Sequence, residues 1–530
     1  MATRARSAYD RLMRIQNLIA IAFPAVLAAQ AVPAPAPAPF DAPFKARPAG
    51  SGSIKVGPAK GTVIVVGGGA MGPEVYKAFI DAAGGPDALI VDVPNAGGTD
   101  TVPTNTGNAW RTNGAKNVVV YFTKDRRVAD SDSMAAILKK AGGVWFEGGR
   151  QFHLVQDYGA TKSERGFMEV LERGGVIAGS SAGASILGDF MVRGHPSNNN
   201  NVMNQPGWQT AFGYLRNVGI DQHVVARSRL PDLADSIIPR FPNLLGISED
   251  EGTAWVIRGD TAQIIGRNKA FVYNGKDAPD PGAPFLTLHP GDRYNLNTRK
   301  VVARAIDRSP VKLDVINDLF KKYNAAAAGG ATVLVAVNGD VFIDHAFGIA
   351  AQPRYMPRTT LPQFSLGDIS AVWSELCAQM PAQNARGGRG AAANPDSAPP
   401  AAAPGRGGRG GPPPSPLQQC VTRISTVIGA HQSVSTDGKD VQSSVDELYR
   451  LGLALDVPTT WRNVDYTKGW SVDSYKGEHR VAAYATSDGK RAAFVRLPER
   501  HVTVIILTND AGADARGMVE KILDRVIAAK

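Results

Sequence analysis

The strongest constraint on the fold is an alternation of apolar β-rich runs with helical patterns between residues 54 and 305. The β-rich runs are TVIVVG, ALIVDV, NVVVYF, VWFEGG and VIAGS, and helical patterns such as PEVYKAFIDAAG and KSERGFMEVLERG lie between them. Strands that alternate with helices form a mostly parallel sheet covered on both faces. We therefore predict an α/β domain over residues 54–305, with its ligand site at the carboxyl ends of the strands.

A second domain is predicted over residues 306–530, because the pattern changes there. LDVINDLFKKYN is typical of an amphipathic helix, and ATVLVAVNGDVFIDHAFG is typical of a hairpin with an Asn338-Gly339 turn. Three more strand patterns and a closing helix complete an α+β domain. Cys377 and Cys420 bracket a Gly-, Arg- and Pro-rich insert at 382–417. We expect them to form a disulfide in an oxidising compartment, with two free buried thiols as the alternative.

Residues 1–31 have the features of a secretory signal peptide: four arginines, a short apolar run and the small-residue site Ala29-Gln30-Ala31. We expect cleavage after Ala31 and a secreted or periplasmic protein. A membrane anchor is the alternative, but the apolar run is short and contains Pro24, so no stable membrane span is predicted. Residues 32–53 are rich in Pro and Ala and are expected to form a stiff, extended linker.

The formal net charge of +10 does not indicate a nucleic-acid partner. The signal peptide and the insert each contain four arginines and one aspartate, so these two segments carry most of the excess positive charge. In an exported protein the RGG-type insert is expected to be a solvated, disordered loop. We therefore predict no binding of nucleic acid.

The segment VIAGSSAGASI contains the candidate nucleophile. An apolar strand ends at Gly179-Ser180-Ser181-Ala182-Gly183 and a small-residue helix follows, which is the G-x-S-x-G nucleophile elbow in its strand-turn-helix context. Such a turn exposes the Ser181 hydroxyl at a helix N-terminus, where backbone N–H groups stabilise an oxyanion. Ser180 is the competing serine, and an ordinary capping serine is the alternative interpretation.

A serine nucleophile needs a base, and His223 in NVGIDQHVVARSRL is the best candidate among the eight histidines. It follows a short apolar run and has polar neighbours in sequence, namely Asp221, Gln222, Arg227 and Arg229. His195 lies in the loop sequence GHPSNNNN, and His345 lies in the hairpin of the other domain. Both are therefore weaker candidates.

The ordered motifs VWFEGGRQFHL, GGVIAGSSAGASIL, IDQHVVARSRL and LLGISEDEGTAWVIRGDTAQIIG resemble the cyanophycinase and dipeptidase E family of serine peptidases, over about residues 60 to 270. The resemblance implies a glutamine-amidotransferase-like fold and cleavage of β-aspartyl peptide bonds without a cofactor or a metal. Ser181 would be the nucleophile and His223 the base. The resemblance also implies an oxyanion hole formed by Gly148, Gly149 and Ala182, and a substrate site lined by Gln151, Asp221, Gln222, Arg227 and Arg229.

Gly67, Gly69 and Gly72 follow the spacing G-x-G-x-x-G, and Asp92 lies near the end of the second strand pattern, as in a dinucleotide-binding site. Nothing else in the chain indicates NAD or FAD. In the fold that the resemblance implies, these glycines belong to the scaffold beside the active-site crevice, and we expect no cofactor.

The chain also departs from the family pattern. Such enzymes carry an acid between the serine and the histidine, but Phe190 through Ile220 contains no Asp or Glu. Asp189 and the asparagines of GHPSNNNN are the nearest groups that could orient His223. Asp232 stands where the family has a third arginine, which favours short β-aspartyl peptides over the polymer cyanophycin. The sequence leaves open a slow enzyme or a ligand-binding protein on an enzyme fold, with a homodimer as a candidate assembly.

The second domain resembles the serine β-lactamase and penicillin-binding protein family in the blocks ATVLVAVNGDVFIDHAFG, TTLPQFSLGDISAVW and RLPERHVTVIILTND. Those enzymes need S-x-x-K, but Asp368 and Ala371 stand at these two positions. Tyr484-Ala485-Thr486 lies where a Lys-Thr-Gly motif is expected. We expect a truncated and catalytically inactive domain, whose deletion leaves the active-site chemistry of the first domain intact.

Overall fold

The computed structural model describes residues 44–529, except for the gaps 51, 197–198, 204–206, 281, 325–328, 349–363, 381–413, 430–432, 434–437, 457–463, 467 and 487–490. The predicted signal peptide and most of the predicted insert lie outside the described residues. The described residues belong to one compact unit. None of the helices in the described part of the chain has the length and apolar character that crossing a bilayer requires.

The amino-terminal half contains thirteen strands among its described residues. In chain order they are β1 (Thr62–Val66), β2 (Leu89–Val93), β3 (Asn117–Val120), β4 (Ala141–Phe146), β5 (Val176–Ser180), β6 (Val218–Gln222), β7 (Leu245–Glu249), β8 (Thr253–Arg258), β9 (Thr261–Gly266), β10 (Ala270–Tyr273), β11 (Leu286–Leu288), β12 (Arg293–Asn295) and β13 (Lys300–Ala303). Its helices are α1 (Pro73–Ala82), α2 (Asn108–Thr112), α3 (Arg126–Ala129), α4 (Asp132–Leu138), α5 (Gln151–Tyr158), α6 (Lys162–Glu172) and α7 (Ala182–Ser185).

Nine of these strands form a mixed sheet in the order β13-β12-β9-β8-β1-β5-β4-β2-β3. The five strands from β1 to β3 in this order are parallel, and β8 joins β1 antiparallel. Strands β1 and β5 are buried almost throughout, since helices cover both faces of a parallel sheet. The predicted α/β fold with a parallel sheet is therefore confirmed.

A second, four-stranded sheet in the order β11-β10-β7-β6 lies in the same half. Strands β6 and β7 are parallel, and Gln222 at the end of β6 is in register with Glu249 at the end of β7. Residues that follow these two strands therefore emerge side by side, although they are far apart in the sequence.

The carboxyl-terminal half is an α+β arrangement, as predicted. Its strands are β14 (Gly330–Val337), β15 (Asp340–Gly348), β16 (Phe364–Ser365), β17 (Gln442–Ser443), β18 (Ser471–Tyr475), β19 (Glu478–Ala485), β20 (Arg491–Leu497) and β21 (Val502–Thr508), and its helices are α8 (Leu313–Leu319), α9 (Ser370–Gln379), α10 (Pro416–Ile428), α11 (Val445–Leu455) and α12 (Ala515–Ala528). Six strands form an antiparallel sheet in the order β15-β14-β21-β20-β19-β18. Asn338 and Gly339 both have positive φ, which confirms the predicted hairpin turn.

Short helical turns connect several of these elements. The 3₁₀ turns are Asn95–Gly97, Ala305–Arg308, Lys321–Asn324, Gly367–Ile369 and Pro498–Arg500, and a π-helical turn spans Leu233–Ile237.

Part of the predicted linker packs onto the first domain. Phe44 is buried, with its ring edge-to-face against Phe190 and its backbone N–H donating to Gln209 at 3.1 Å. Arg47 donates from its backbone N and from Nε to the carboxylate of Asp189, at 2.7 and 3.0 Å. Folded structure therefore begins at least ten residues before Ile54.

The expected disulfide is absent, because Cys377 and Cys420 are free thiols in this structure. They lie on the packed helices α9 and α10, and the Cys420 thiol donates to the carbonyl oxygen of Trp373 at 3.0 Å. Burial, followed by the neighbouring Cys377, raises the pKa of the Cys420 thiol. Two reduced thiols, the alternative interpretation of the sequence, fit this geometry.

Candidate active site

Ser181 lies in the sharp turn between β5 and α7. Its φ of 58° and ψ of −119° are unusual for a residue with a side chain, and such strain is typical of a nucleophile elbow. Gly183 is required here, because a Cβ at that position would overlap the backbone of Phe146. The strand, the turn and the helix thus place the Ser181 hydroxyl at the carboxyl edge of the sheet.

The structure brings Ser181 and His223 together. His223 immediately follows β6, and its Nε2 is 2.8 Å from Ser181 Oγ. His223 is 4% exposed and Ser181 8% exposed, so the pair is largely shielded from water. Ser180 ends β5 and has no such contact with His223, and His345 lies on β15 in the other half of the chain.

Glu251 is an acid beside His223 that the sequence analysis did not identify. Its Oε1 is 2.5 Å from His223 Nδ1, on the side of the ring that faces away from Ser181. The position beside His223 Nδ1 is thus held by Glu251 and not by Asp189 or an asparagine, the candidates nearest in the sequence. Asp189 is fully buried and accepts hydrogen bonds from Arg47 and from the backbone N of Asn217.

The glycine-rich loop after β1 packs against this triad. A Cβ on Gly68 would overlap the His223 ring, and a Cβ on Gly69 would overlap the side chain of Glu251. The backbone N of His223 also donates to the carbonyl oxygen of Gly67 at 3.1 Å. The space that these glycines leave is filled by the histidine and the glutamate, which fits a scaffold role.

The three predicted oxyanion residues have different surroundings. Gly148 lies beside the serine, because a Cβ at Gly148 would be 3.2 Å from Ser181 Cβ and 3.6 Å from Oγ. Ala182 is the first residue of α7, where the backbone N–H has no intrahelical acceptor. Gly149 has a φ of 142° and lies against the backbone of Ala96. Gly148 and Ala182 thus both lie beside Ser181, whereas Gly149 packs against Ala96.

Two of the predicted substrate-binding residues are held by neighbours in the protein. Gln151 begins α5, is buried, and donates from Nε2 to the carbonyl oxygen of Val192. Asp221 is fully buried, and both of its carboxylate oxygens accept hydrogen bonds from Arg193, at 3.2 and 3.1 Å. Asp221 is therefore tied to Arg193 on the buried side of β6.

Gln222 and Arg229 lie together beside the triad. Arg229 is 7% exposed, and its Nη1 is 3.4 Å from both the carbonyl oxygen and the side-chain oxygen of Gln222. Arg227 is half-buried, and its backbone N donates to the carbonyl oxygen of His223 at 2.8 Å. Asp232 forms an ion pair with Arg193, so the residue that replaces the third arginine is already paired.

Burial sets the protonation of the site. It lowers the pKa of His223 below its ordinary value of 6.5; the hydrogen bond that Nδ1–H donates to Glu251 opposes this, and the charges of Arg227 and Arg229 lower the pKa further. A histidine with a lowered pKa is neutral near pH 7, which is the form that accepts a proton.

Asp92 is also buried, and burial followed by the charge of Glu147 raises its pKa well above the usual range. Within the described ranges, no group of three or more His, Cys, Asp or Glu side chains is arranged to hold a metal ion.

In the second half of the chain, two positions that the sequence analysis compared with the β-lactamase motifs are in contact. Asp368 Oδ2 accepts a hydrogen bond from the backbone N of Thr486 at 2.9 Å, at the end of β19. Asp368 cannot act as the serine nucleophile that S-x-x-K requires.

Comparisons with known proteins agree with the arrangement in the first half. Residues 63–265 match the model of peptidase family S51. The chain is 30% identical over 274 residues to the cyanophycinase of Synechococcus elongatus, an alignment that covers 47% of this chain and 83% of that protein.

Among solved structures, a peptidase from an acI-B1 Actinobacterium is similar at 23% identity and a TM-score of 0.35, covering 44% of this chain and 97% of that one. An octameric penicillin-binding protein homologue from Pyrococcus abyssi is similar at 11% identity and a TM-score of 0.25, covering 41% and 77%. With 83% of a cyanophycinase aligned at 30% identity and the family model matched over residues 63–265, the chain belongs to peptidase family S51.

Proposed function

We propose that this protein is a serine peptidase that hydrolyses β-aspartyl isopeptide bonds through an acyl-enzyme. The observation that carries the proposal is the hydrogen-bonded series Ser181, His223 and Glu251, with contacts of 2.8 and 2.5 Å. A carboxylate can only accept hydrogen bonds, so Glu251 fixes the ring proton on Nδ1 and leaves Nε2 as the acceptor for the serine proton. That is the arrangement a hydroxyl nucleophile needs.

In the proposed reaction, Ser181 Oγ attacks the side-chain carbonyl carbon of the aspartyl residue while His223 Nε2 takes the hydroxyl proton. The oxyanion forms beside Gly148 and the backbone N–H of Ala182. Collapse of the tetrahedral intermediate breaks the C–N bond, and His223 returns the proton to the leaving amine. Water then attacks the acyl-enzyme with His223 again as base, which releases the aspartyl acid and regenerates the serine.

The arginines that follow His223 support a substrate with a free carboxylate. A β-aspartyl bond leaves the α-carboxylate of the aspartyl residue free beside the scissile carbonyl. Arg229 is buried next to Gln222, and a guanidinium in such a place suits bidentate binding of a carboxylate. We assign Arg229 to this carboxylate and place Arg227 at the edge of the site.

We also propose that the protein is exported by way of residues 1–31 and that the second domain is an inactive relative of the serine β-lactamases. The contact between Asp368 and Thr486 supports the second point, because the alignment puts them at the two halves of a β-lactamase active site. The alternative of a ligand-binding protein rested on the missing acid and on the inactive second domain; the contact between Glu251 and His223 weakens the first of these two grounds.

A fluorophosphonate probe tests the proposal, because it labels only an activated serine. We expect labelling of the wild-type protein at Ser181, loss of labelling in Ser181→Ala, and retention in Ser180→Ala as the matched control. The wild-type protein is also expected to hydrolyse a β-aspartyl dipeptide faster than its α-linked isomer. A folded protein that is not labelled, or that prefers the α-linked isomer, contradicts the proposal.

A further inference from the structure

A buried arginine from the second half of the chain reaches the acidic turn of the candidate active site. Arg450 lies on α11, and its side chain is 3% exposed. Its Nη2 donates to Asp250 Oδ2 and to the carbonyl oxygen of Glu251, both at 3.1 Å. Its Nη1 donates to the carbonyl oxygen of Gly429, directly after α10. One side chain thus joins the two halves at the residue that contacts His223.

Asp250 links Arg450 to the backbone segment that follows His223. Its Oδ1 accepts hydrogen bonds from the backbone N–H groups of Val225 and Ala226, two and three residues after His223, at 3.1 and 2.9 Å. Its Oδ2 accepts from Arg450 and from Asn268 Nδ2. The carboxylate therefore bridges the backbone that carries the base and the arginine of the other half.

The glycine-rich loop is held by the same elements. The backbone N of Gly252, next to Glu251, donates to the carbonyl oxygen of Gly68 at 2.8 Å. Gly429, which accepts from Arg450, lies against Ala70 in that loop, since a Cβ on Gly429 would be 3.7 Å from the Ala70 Cβ. Arg450 thus contacts the acidic turn directly and the glycine-rich loop through Gly429.

The energetics favour a specific role for this arginine. Asp250 is 1% exposed, and removing the partner of a buried charge leaves an uncompensated charge that the turn must accommodate by moving. The Arg450 contact to the Glu251 carbonyl fixes the backbone from which the Glu251 carboxylate extends. A shift of the turn would change the 2.5 Å contact between Glu251 and His223.

We propose that Arg450 is a positioning residue, so that the second domain completes the active site of the first. The inference rests on the proposed function for its catalytic consequence. It also revises the expectation that deleting residues 306–530 leaves the chemistry intact, because the deletion would remove the partner of Asp250.

The test compares Arg450→Met and Arg450→Lys with Asp344→Asn in the full-length protein. Asp344 is a matched control, because it also joins the two halves, through an ion pair with Lys269 at 2.6 Å, but has no contact with Asp250 or Glu251. The readouts are kcat and KM on a β-aspartyl dipeptide, and the low-field proton resonance of the His223 Nδ1–H, which reports the hydrogen bond to Glu251 without requiring turnover.

We expect Arg450→Met to lower kcat by about 10- to 100-fold with a smaller change in KM, the scale of a misplaced catalytic group, and to shift or broaden the low-field resonance. Arg450→Lys keeps the positive charge but lacks the guanidinium group, so its kcat should lie between those of Arg450→Met and the wild type. It also replaces Arg450→Met in the test if that variant does not fold. Asp344→Asn should leave kcat and the resonance close to wild type.

Unchanged kcat and an unchanged resonance in folded Arg450 variants would overturn the inference. A loss of kcat in Asp344→Asn equal to that in Arg450→Met would also overturn it, because it would indicate a general loosening of the interface. A wild-type protein that is inactive towards the dipeptide and the fluorophosphonate, but whose resonance depends on Arg450, would instead overturn the proposed function and leave the positioning role standing.

Discussion

The backbone of Gly68 lies directly against the imidazole of His223. A Cβ at Gly68 would overlap the Cε1 and Nε2 atoms and lie 3.0 Å from Nδ1. Gly68 also has a φ of 92°, a conformation that residues with side chains rarely adopt. The glycine run that resembles a dinucleotide fingerprint therefore packs against the His223 ring and leaves room for it.

Gly68→Ala is accordingly expected to displace His223 and lower kcat by about 100-fold, as for other displacements of a catalytic group of this size. Gly85→Ala is the matched control, because Gly85 has a similar φ of 97° but nothing within 4 Å of an added Cβ. Steady-state kinetics of both variants separate the two effects. Equal losses in the two would assign the effect to backbone strain rather than to the ring contact.

Glu251→Gln is expected to lower kcat by up to about 10⁴-fold, the loss seen when a triad acid is replaced by its amide. Glu249→Gln is the matched control, because burial followed by the charge of Asp221 raises the pKa of Glu249 well above its usual range. An amide has the size and shape of the neutral acid that this raised pKa favours. A Glu251→Gln variant with wild-type kcat would show that Glu251 does not orient the histidine.

The sequence predicted the sheet and the elbow because each of these rests on local patterns, whereas the choice of His223 also depended on the family resemblance. β5 and Ser181 are adjacent in the chain, and a tight turn is recognisable from its glycines. Glu251 was missed because the search was restricted to the interval between Ser181 and His223. The pairing of β6 with β7 brings Glu251 to the histidine from 28 residues further along the chain. The acidic run SEDEG after an apolar strand pattern was the signal that could have found it.

Contacts that depend on tertiary packing could not be predicted from the sequence. The Pro and Ala content around Arg47 predicted an extended linker, but its ion pair with Asp189 anchors the segment. Arg450 lies 199 residues from Glu251, and nothing in its local sequence indicates a contact with another domain. Composition describes how a segment behaves alone, whereas these two arginines are fixed by acids elsewhere in the fold.

The pH dependence of kcat/KM should follow the protonation of His223. Burial lowers the pKa of this histidine below 6.5, Glu251 opposes the shift, and Arg227 and Arg229 add to it. The base works when neutral, so activity is present above its pKa and lost as the pH falls through it. We expect an acid limb with a midpoint below 6.5. Arg227→Ala should move that midpoint upward, and a midpoint above 6.5 in the wild type would contradict this account.

The last prediction concerns the carboxylate of the substrate. Arg229 is buried beside Gln222 and close enough to His223 for its charge to lower the pKa of the ring. Arg229→Ala should lower kcat/KM for a β-aspartyl dipeptide by about 10- to 100-fold, because a charge-assisted hydrogen bond of roughly 1.5–3 kcal/mol is lost. The exposed Arg240 provides a control, and Arg240→Ala should have little effect. When the α-carboxylate of the substrate is amidated, kcat/KM of the wild-type enzyme should fall by a similar factor. The kcat/KM of Arg229→Ala should change little on amidation, because this variant lacks the arginine that binds the carboxylate. If both enzymes lose equally on amidation, the carboxylate is bound by another group and the role assigned to Arg229 is wrong.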